Sequence, residues 1–300
     1  FKDVALCMLP QLITASCGKQ GMQDEIAILT ATSGDTGKAA LEGFHDVPGT
    51  RIVVFFPVEG VSCVQKAQMV TQEGKNVTVC GIRGNFDDAQ TGVKQVFRAC
   101  SEEKLLDGKH VRLSSANSIN IGRLVPQIVY YVKAYADLVR AGRIQPGDEV
   151  DYVVPTGNFG DILAGYMAKK MGLPVGKLVC ASNCNDVLTE FLHTGRYDRN
   201  RPFHKTVSPS MDILVSSNLE RLLYLESGDP EFVAGLMRQL SEDGNYQIPA
   251  EMLERIQKVF WAGCCSEQET LETIRSAWEM HHYLMDTHTA VAWHVAEQYK

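Results

Sequence analysis

The sequence predicts an α/β protein built on mostly parallel sheets. Strand-like and helix-like segments alternate from Glu25 to Ala181. That order points to strands joined by helical crossovers. The strand-like runs are short and apolar, and Pro or Gly-bearing loops close them. Several of those loops place small, hydrogen-bonding residues between a strand and the next helix.

The elements follow in order. Glu25–Thr32 reads as a buried strand, and Lys38–Phe44 as the helix after it. Arg51–Phe56 is a second strand ended by Pro57, followed by a helix over Val64–Gln72 and a short strand over Val77–Cys80. Asn85–Ala99 has helical periodicity, with Phe86, Ala89, Val93 and Phe97 on one face. Val111–Leu113 is another strand. Ile121–Ala141 reads as one long helix that Pro126 bends and Gly142 closes. Val150–Val154 is a strand ended by Pro155, Ile162–Met171 a helix, and Lys177–Ala181 a strand. Beyond Asp186 the character changes. Tyr197–Ser210 is polar and turn-rich, and residues 218–286 read as helices with few strands.

The bulk properties set limits. The 300 residues are 45% hydrophobic and 22% charged, as in a globular protein of about two domains. The net charge is −7. This acidic balance disfavours nucleic acid or an anionic membrane as the main partner but leaves room for a small anionic substrate. The nine cysteines form no paired framework and read as reduced thiols in a cytoplasm. No apolar run is long enough to span a bilayer. The chain opens on Phe1-Lys2-Asp3, with no targeting peptide, and reads as starting inside a larger protein.

Three strand-to-helix junctions stand out. They are Thr30-Ala31-Thr32-Ser33-Gly34-Asp35-Thr36-Gly37, Ser114 through Arg123, and Pro155-Thr156-Gly157-Asn158-Phe159-Gly160-Asp161. Each lies at the carboxyl end of a strand, where ligands sit in open parallel sheets. Each also offers backbone N–H groups at a helix start, where the helix dipole favours an anion. Any one alone also reads as a turn whose Ser, Thr, Asn or Asp caps the next helix. Gly34 and Gly37-Lys38 are too close together for a P-loop, and no G-x-G-x-x-G or G-x-S-x-G is present at these junctions.

Taken together, the stretches Phe1–Asp3, Thr30–Gly37, Ser115–Arg123, Val154–Lys170 and Ser210–Ile213 resemble the threonine synthases of the bacterial and fungal branch. Those are fold-type II pyridoxal-phosphate enzymes. The resemblance implies two three-layer α/β/α lobes, similar to the tryptophan synthase β chain. The smaller lobe is expected over 26–113, and the larger over 1–25 plus 114–300 with a helical C-terminal extension. The parent's N-terminal lobe and C-terminal end are expected to be absent. Pyridoxal 5'-phosphate is the implied cofactor.

Carried over by position, Lys2 would hold the cofactor covalently and then move protons. Gly157, Asn158, Phe159, Gly160 and Asp161 would cradle the cofactor phosphate. Asp35 would contact the ring hydroxyl, where related enzymes commonly carry Asn. Thr32, Ser33 and Thr36 would hold the substrate carboxylate or phosphate, and Asn117, Ser118 and Arg123 the substrate phosphate. Asn120 joins this set as a ligand or as a helix cap. Asp286–Val291 is similar to a family segment in which Pro stands at the position of Thr287.

The implied activity is that of a carbon–oxygen lyase acting on phosphates. It is a β,γ-replacement that turns O-phospho-L-homoserine and water into L-threonine and phosphate. No metal, nucleic acid or membrane is expected, and the oligomer is a monomer or a homodimer. The rivals are a serine or threonine dehydratase, another phospho-amino-acid lyase, or a threonine-synthase-like protein that binds the cofactor without turnover.

Overall fold

The computed structural model describes residues 2–32, 34–59, 61–84 and 86–300, excluding the side chains of Lys2, Asp35, Phe86 and Asp87. The chain divides into two compact units, Phe1–Gln127 and Ile128–Lys300. The expected 26–113 lobe lies wholly inside the first unit, which also takes in the N-terminal helix and residues 114–127.

The first unit runs α1 (Lys2–Lys19), β1 (Glu25–Ala31), α2 (Asp35–Phe44), β2 (Thr50–Pro57), α3 (Cys63–Val70), β3 (Val77–Ile82), α4 (Phe86–Glu102), β4 (Val111–Ser114) and α5 (Ile121–Leu124). Its four strands pair in parallel in the order β3-β2-β1-β4.

Strand periodicity sorts the side chains to two faces. Ile26, Ile28, Ile52, Val54 and Phe56 pack with Leu6, Leu9, Leu41, Phe44 and Met69 from the helices α1, α2 and α3. Leu29, Ala31, Val53 and Phe55 meet Ala89, Val93 and Phe97 of α4 on the other face. Those three residues are the described part of the apolar face that periodicity predicted. The result is a three-layer α/β/α unit. Helices α1 and α2 approach so closely at Gly43 that a Cβ there would lie 2.3 Å from the Leu6 carbonyl oxygen.

The second unit runs α6 (Ile128–Arg140), β5 (Val150–Pro155), α7 (Gly160–Lys170), β6 (Val175–Ser182), α8 (Val187–Thr194), β7 (Arg196–Asp198), α9 (Leu219–Ser227), α10 (Pro230–Glu242), β8 (Asn245–Gln247), α11 (Ala250–Gln257), β9 (Phe260–Cys264), α12 (Glu267–His281) and α13 (Thr287–Tyr299). Strands β5, β6 and β9 form a parallel sheet, and β7 pairs antiparallel with β8. Helix α13 covers one face of the parallel sheet through Val291, Ala292 and Val295, packed against Val179 and Ala181. Phe159, just before α7, and Tyr166 on it lay their rings against Phe260 of β9.

The long helix predicted over Ile121–Ala141 does not form as one piece. It breaks into Ile121–Leu124, a 3-10 turn over Val125–Gln127, and Ile128–Arg140. Pro126 causes this, because it has no N–H to donate and its ring clashes with the preceding turn. Among the described residues no helix is long and apolar enough to cross a membrane.

Candidate active site

In the first sheet, β1 has β2 on one side and β4 on the other. The strand order therefore reverses at β1, and the loops after β1 and β4 flank a topological switch point. Both loops are internally braced. Thr32 is buried, and its Oγ1 accepts from the N–H of Gly34 at 2.9 Å and of Gly37 at 2.8 Å. Gly34 caps α2 with φ 142°, a backbone conformation that suits glycine.

Asn117 spans the gap between the strands. Its Nδ2 donates to the Ala31 carbonyl at 2.8 Å, and its Oδ1 accepts from the Ala31 N–H at 3.2 Å. Asn120 caps α5 by accepting from the Gly122 N–H at 2.9 Å and donates to the Ser115 carbonyl at 2.9 Å. Arg123 is only 8% exposed. Its guanidinium donates to the Ala116 carbonyl at 3.1 Å and to Thr36 Oγ1 at 3.5 Å. The structure thus brings Thr36 and Arg123 together and ties Asn117 to the end of β1. A buried cation beside a hydroxyl suits a phosphate or a carboxylate.

In the second unit the loop after β5 leads into α7. Phe159 stands at the N-cap in the left-handed conformation, φ 60° and ψ 10°. That conformation costs a bulky residue about 1–2 kcal/mol, and the packing of its ring on Phe260, 5.5 Å between centroids, holds it there. The carbonyls of the loop are claimed from below. Ser216 Oγ donates to the Gly157 carbonyl at 2.9 Å. The backbone N–H and Nδ2 of Asn218 donate to the Asn158 carbonyl at 3.1 and 3.0 Å.

The N–H groups of residues 157–161 have no hydrogen-bond partner among the described residues. An unpaired row of N–H groups at a helix N-terminus is the arrangement that accepts a phosphate dianion. Gly157 is required by close approach: a Cβ there would lie 2.8 Å from the Ser210 carbonyl oxygen. The Asp161 carboxylate does not belong to that row. Tyr131 Oη donates to the Asp161 carbonyl at 2.8 Å and to its Oδ1 at 3.3 Å. Burial pushes the Asp161 carboxyl up to about 6, against the hydrogen bond from Tyr131.

Behind this loop lies a polar hub that sequence reasoning missed. Asp212 accepts from the side-chain amides of Asn183 and Asn185 and from both the N–H and the hydroxyl of Thr206. Tyr197 Oη donates to the Leu214 carbonyl and accepts from the Ser216 N–H. His288 Nε2 accepts from the Ser210 N–H at 3.2 Å. This pins residues 206–218 beneath the α7 loop. The signal was the stretch Ser210–Ile213, noted for its resemblance but not for the half-buried carboxylate in it.

Ser33 lies outside the described residues, and so do the side chains of Lys2 and Asp35. Lys2 opens α1, and Asp35 opens α2. Ser118 lies between β4 and α5.

The whole chain, residues 1–300, matches the family model described as "Pyridoxal-phosphate dependent enzyme". It is 44% identical to human threonine synthase-like 1 over 99% of its own length and 41% of that protein. It is 40% identical to threonine synthase of Pseudomonas aeruginosa over 99% of its length and 61% of that protein. It therefore spans roughly half the length of these relatives. A crystal structure of pyridoxal-phosphate-bound threonine synthase from Brucella melitensis superposes with a TM-score of 0.89 at 42% identity, covering 100% of this chain and 62% of that one.

Proposed function

Since the chain belongs to the pyridoxal-phosphate dependent enzymes, we propose that it carries out the threonine synthase reaction, converting O-phospho-L-homoserine and water to L-threonine and phosphate. One observation carries this reading. Each unit has its own loop suited to an anion: the row of N–H groups entering α7, and the buried Arg123 beside Thr36. A cofactor phosphate and a substrate phosphate need two such places. A serine or threonine dehydratase brings only a substrate carboxylate to the second place, and the charged fork of Arg123 beside Thr36 favours the doubly charged phosphate. The similarity to threonine synthases over nearly the whole chain supports the same reading.

Pyridoxal phosphate, when bound, supplies an electron sink for a carbanion at the substrate Cα. The residues of this chain then have the following tasks. The N–H groups of Gly157, Asn158, Phe159, Gly160 and Asp161 hold the cofactor phosphate, with their carbonyls drawn away by Ser216 and Asn218. Lys2 anchors the cofactor, and as a free amine it takes and returns the Cα proton. Asp35 contacts the ring hydroxyl. Arg123, Asn117 and Ser118 hold the substrate phosphate and stabilise its negative charge as it leaves. Thr32, Ser33 and Thr36 orient the substrate carboxylate or phosphate. Asn120 acts through its cap on α5, which presents Arg123.

The test is phosphate release from O-phosphohomoserine by the cofactor-loaded chain, with unphosphorylated homoserine as control. Arg123→Ala is expected to abolish phosphate release. No phosphate release from the wild-type chain, with dehydration of serine or threonine that survives Arg123→Ala, overturns the proposal in favour of a dehydratase. A second reading is a relative that binds the cofactor without turnover, and the 44% identity to a protein named threonine synthase-like 1 favours it. That reading predicts visible cofactor absorbance, lost in Lys2→Ala, with no phosphate release.

A further inference from the structure

Away from the α7 loop, three donor side chains from three parts of the second unit meet at one corner. Cys265 follows β9, Glu269 lies in the first turn of α12, and His294 lies on α13. A thiol, a carboxylate oxygen and an imidazole nitrogen from these residues lie within 4.8 Å of one another. We propose that Cys265, Glu269 and His294 bind one divalent metal ion of the zinc class, with the fourth position open to solvent.

The spacing leaves room for an ion between the imidazole and the carboxylate. His294 Nε2 stands 3.6 Å from Glu269 Oε1. That is too long for a direct hydrogen bond. It is close to the edge of a tetrahedron whose bonds are about 2.0–2.3 Å, where two ligands of one ion sit roughly 3.3–3.7 Å apart.

The donors are also held in place. Glu269 Oε2 accepts from the N–H and hydroxyl of Ser266 in a capping box, which fixes the carboxylate and leaves Oε1 facing His294. Cys265 is 1% exposed, and its thiol meets Thr270 Oγ1 at 3.3 Å. Partners of this kind orient ligands in metal sites. A pocket of about 160 Å³ adjoins the cluster. It is lined by Glu269 and His294 together with Glu272, His281 and Glu297. Its carboxylates attract a cation, and its opening gives the ion an entry path.

The mixed sulfur, nitrogen and oxygen donors select a borderline ion such as Zn²⁺ over Mg²⁺ or Ca²⁺, which take oxygen ligands. Binding replaces the thiol proton with a metal–sulfur bond, and that proton goes to solvent.

The experiment strips the full chain with a chelator, then titrates it with Zn²⁺ and separately with Co²⁺. Expected are about one ion per chain and, for Co²⁺, a thiolate-to-metal absorption band. Cys265→Ser is expected to remove the band. His294→Gln is expected to weaken Zn²⁺ at least roughly 100-fold, beyond the effect of losing an orienting partner. Circular dichroism checks each fold, and if Cys265→Ser is unfolded, His294→Gln decides. The proposal fails if the wild-type chain retains no stoichiometric ion, if the band survives Cys265→Ser, or if folded His294→Gln binds Zn²⁺ like wild type. These readouts do not depend on turnover or on bound pyridoxal phosphate.

Discussion

Asn218 grips Asn158 twice: its backbone N–H and its Nδ2 both donate to the Asn158 carbonyl oxygen, at 3.1 and 3.0 Å. The grip turns that carbonyl away and leaves the neighbouring N–H groups unclaimed. Asn218 is fully buried, and its Oδ1 is itself held by Arg221 Nε at 3.0 Å. Removing the amide in Asn218→Ala takes away two part-buried hydrogen bonds, of which the one to Asn158 is worth about 1 kcal/mol. It also frees the loop to rotate. Pyridoxal-phosphate affinity is expected to fall roughly 10-fold, read by equilibrium titration of the cofactor's absorbance. Unchanged affinity in a folded variant would show that the α7 loop holds its shape without Asn218.

Gly157 makes a sharper case. A methyl group there would lie 2.8 Å from the Ser210 carbonyl oxygen and 3.2 Å from Met211 Cα, both of them backbone atoms. Neither can rotate aside, because Asp212 and its partners hold that segment. Gly157→Ala is therefore expected to destabilise the chain by about 1–3 kcal/mol and to weaken the cofactor as well. Urea unfolding gives the first value and cofactor titration the second. A neutral result for both would mean that residues 208–212 yield more easily than their hydrogen bonds suggest.

Much of this was legible in the sequence. β1 and β2 are short, nearly continuous apolar runs, so they could be read as buried strands; Ile26, Ile28, Ile52 and Val54 go to one face and Leu29 and Val53 to the other. The loop from Pro155 to Asp161 announced itself by two glycines and polar residues between a strand and a helix. Ser216 and Asn218 did not, because they lie some 60 residues further on and reach the loop only through the tertiary fold. The roles of Thr32, Asn117 and Asn120 were half legible. Their residue types suit either a ligand or a cap, and the structure uses their side chains to brace the loops. Pro126 was read as a bend, but the lost donor and the ring clash together made a break.

Arg123 carries a prediction about shape as much as charge. It reaches the Ala116 carbonyl and Thr36 Oγ1 with different nitrogens of one planar fork. Lysine would keep the charge but present a single point donor. Arg123→Lys is expected to raise KM for O-phosphohomoserine at least about 10-fold, the effect of losing one charged hydrogen bond. The fold is expected to stay intact by circular dichroism. A KM within twofold of wild type would leave charge alone as the requirement and remove the argument from fork geometry.

Asp161 yields a pH dependence with a definite sign. Burial raises its carboxyl from the model-peptide value of 3.8 to about 6 in the folded chain, and Tyr131 partly opposes this. Between pH 4 and 6 the unfolded chain has released this proton while the folded chain still holds it. The folded state then binds more protons, so this group's contribution is fully present below the unfolded value and is lost as pH rises through about 6. Asp161→Asn keeps the size and can still accept from Tyr131 Oη, but it cannot ionise. The urea midpoint of the variant minus that of wild type is expected to grow from pH 4 to pH 6 and then level off, measured without cofactor. Tyr131→Phe removes the hydrogen bond that favours the carboxylate, so the same window is expected to move to higher pH. A difference between Asp161→Asn and wild type that is flat across pH 4–7 would show that Asp161 ionises as freely in the folded chain as in the unfolded one.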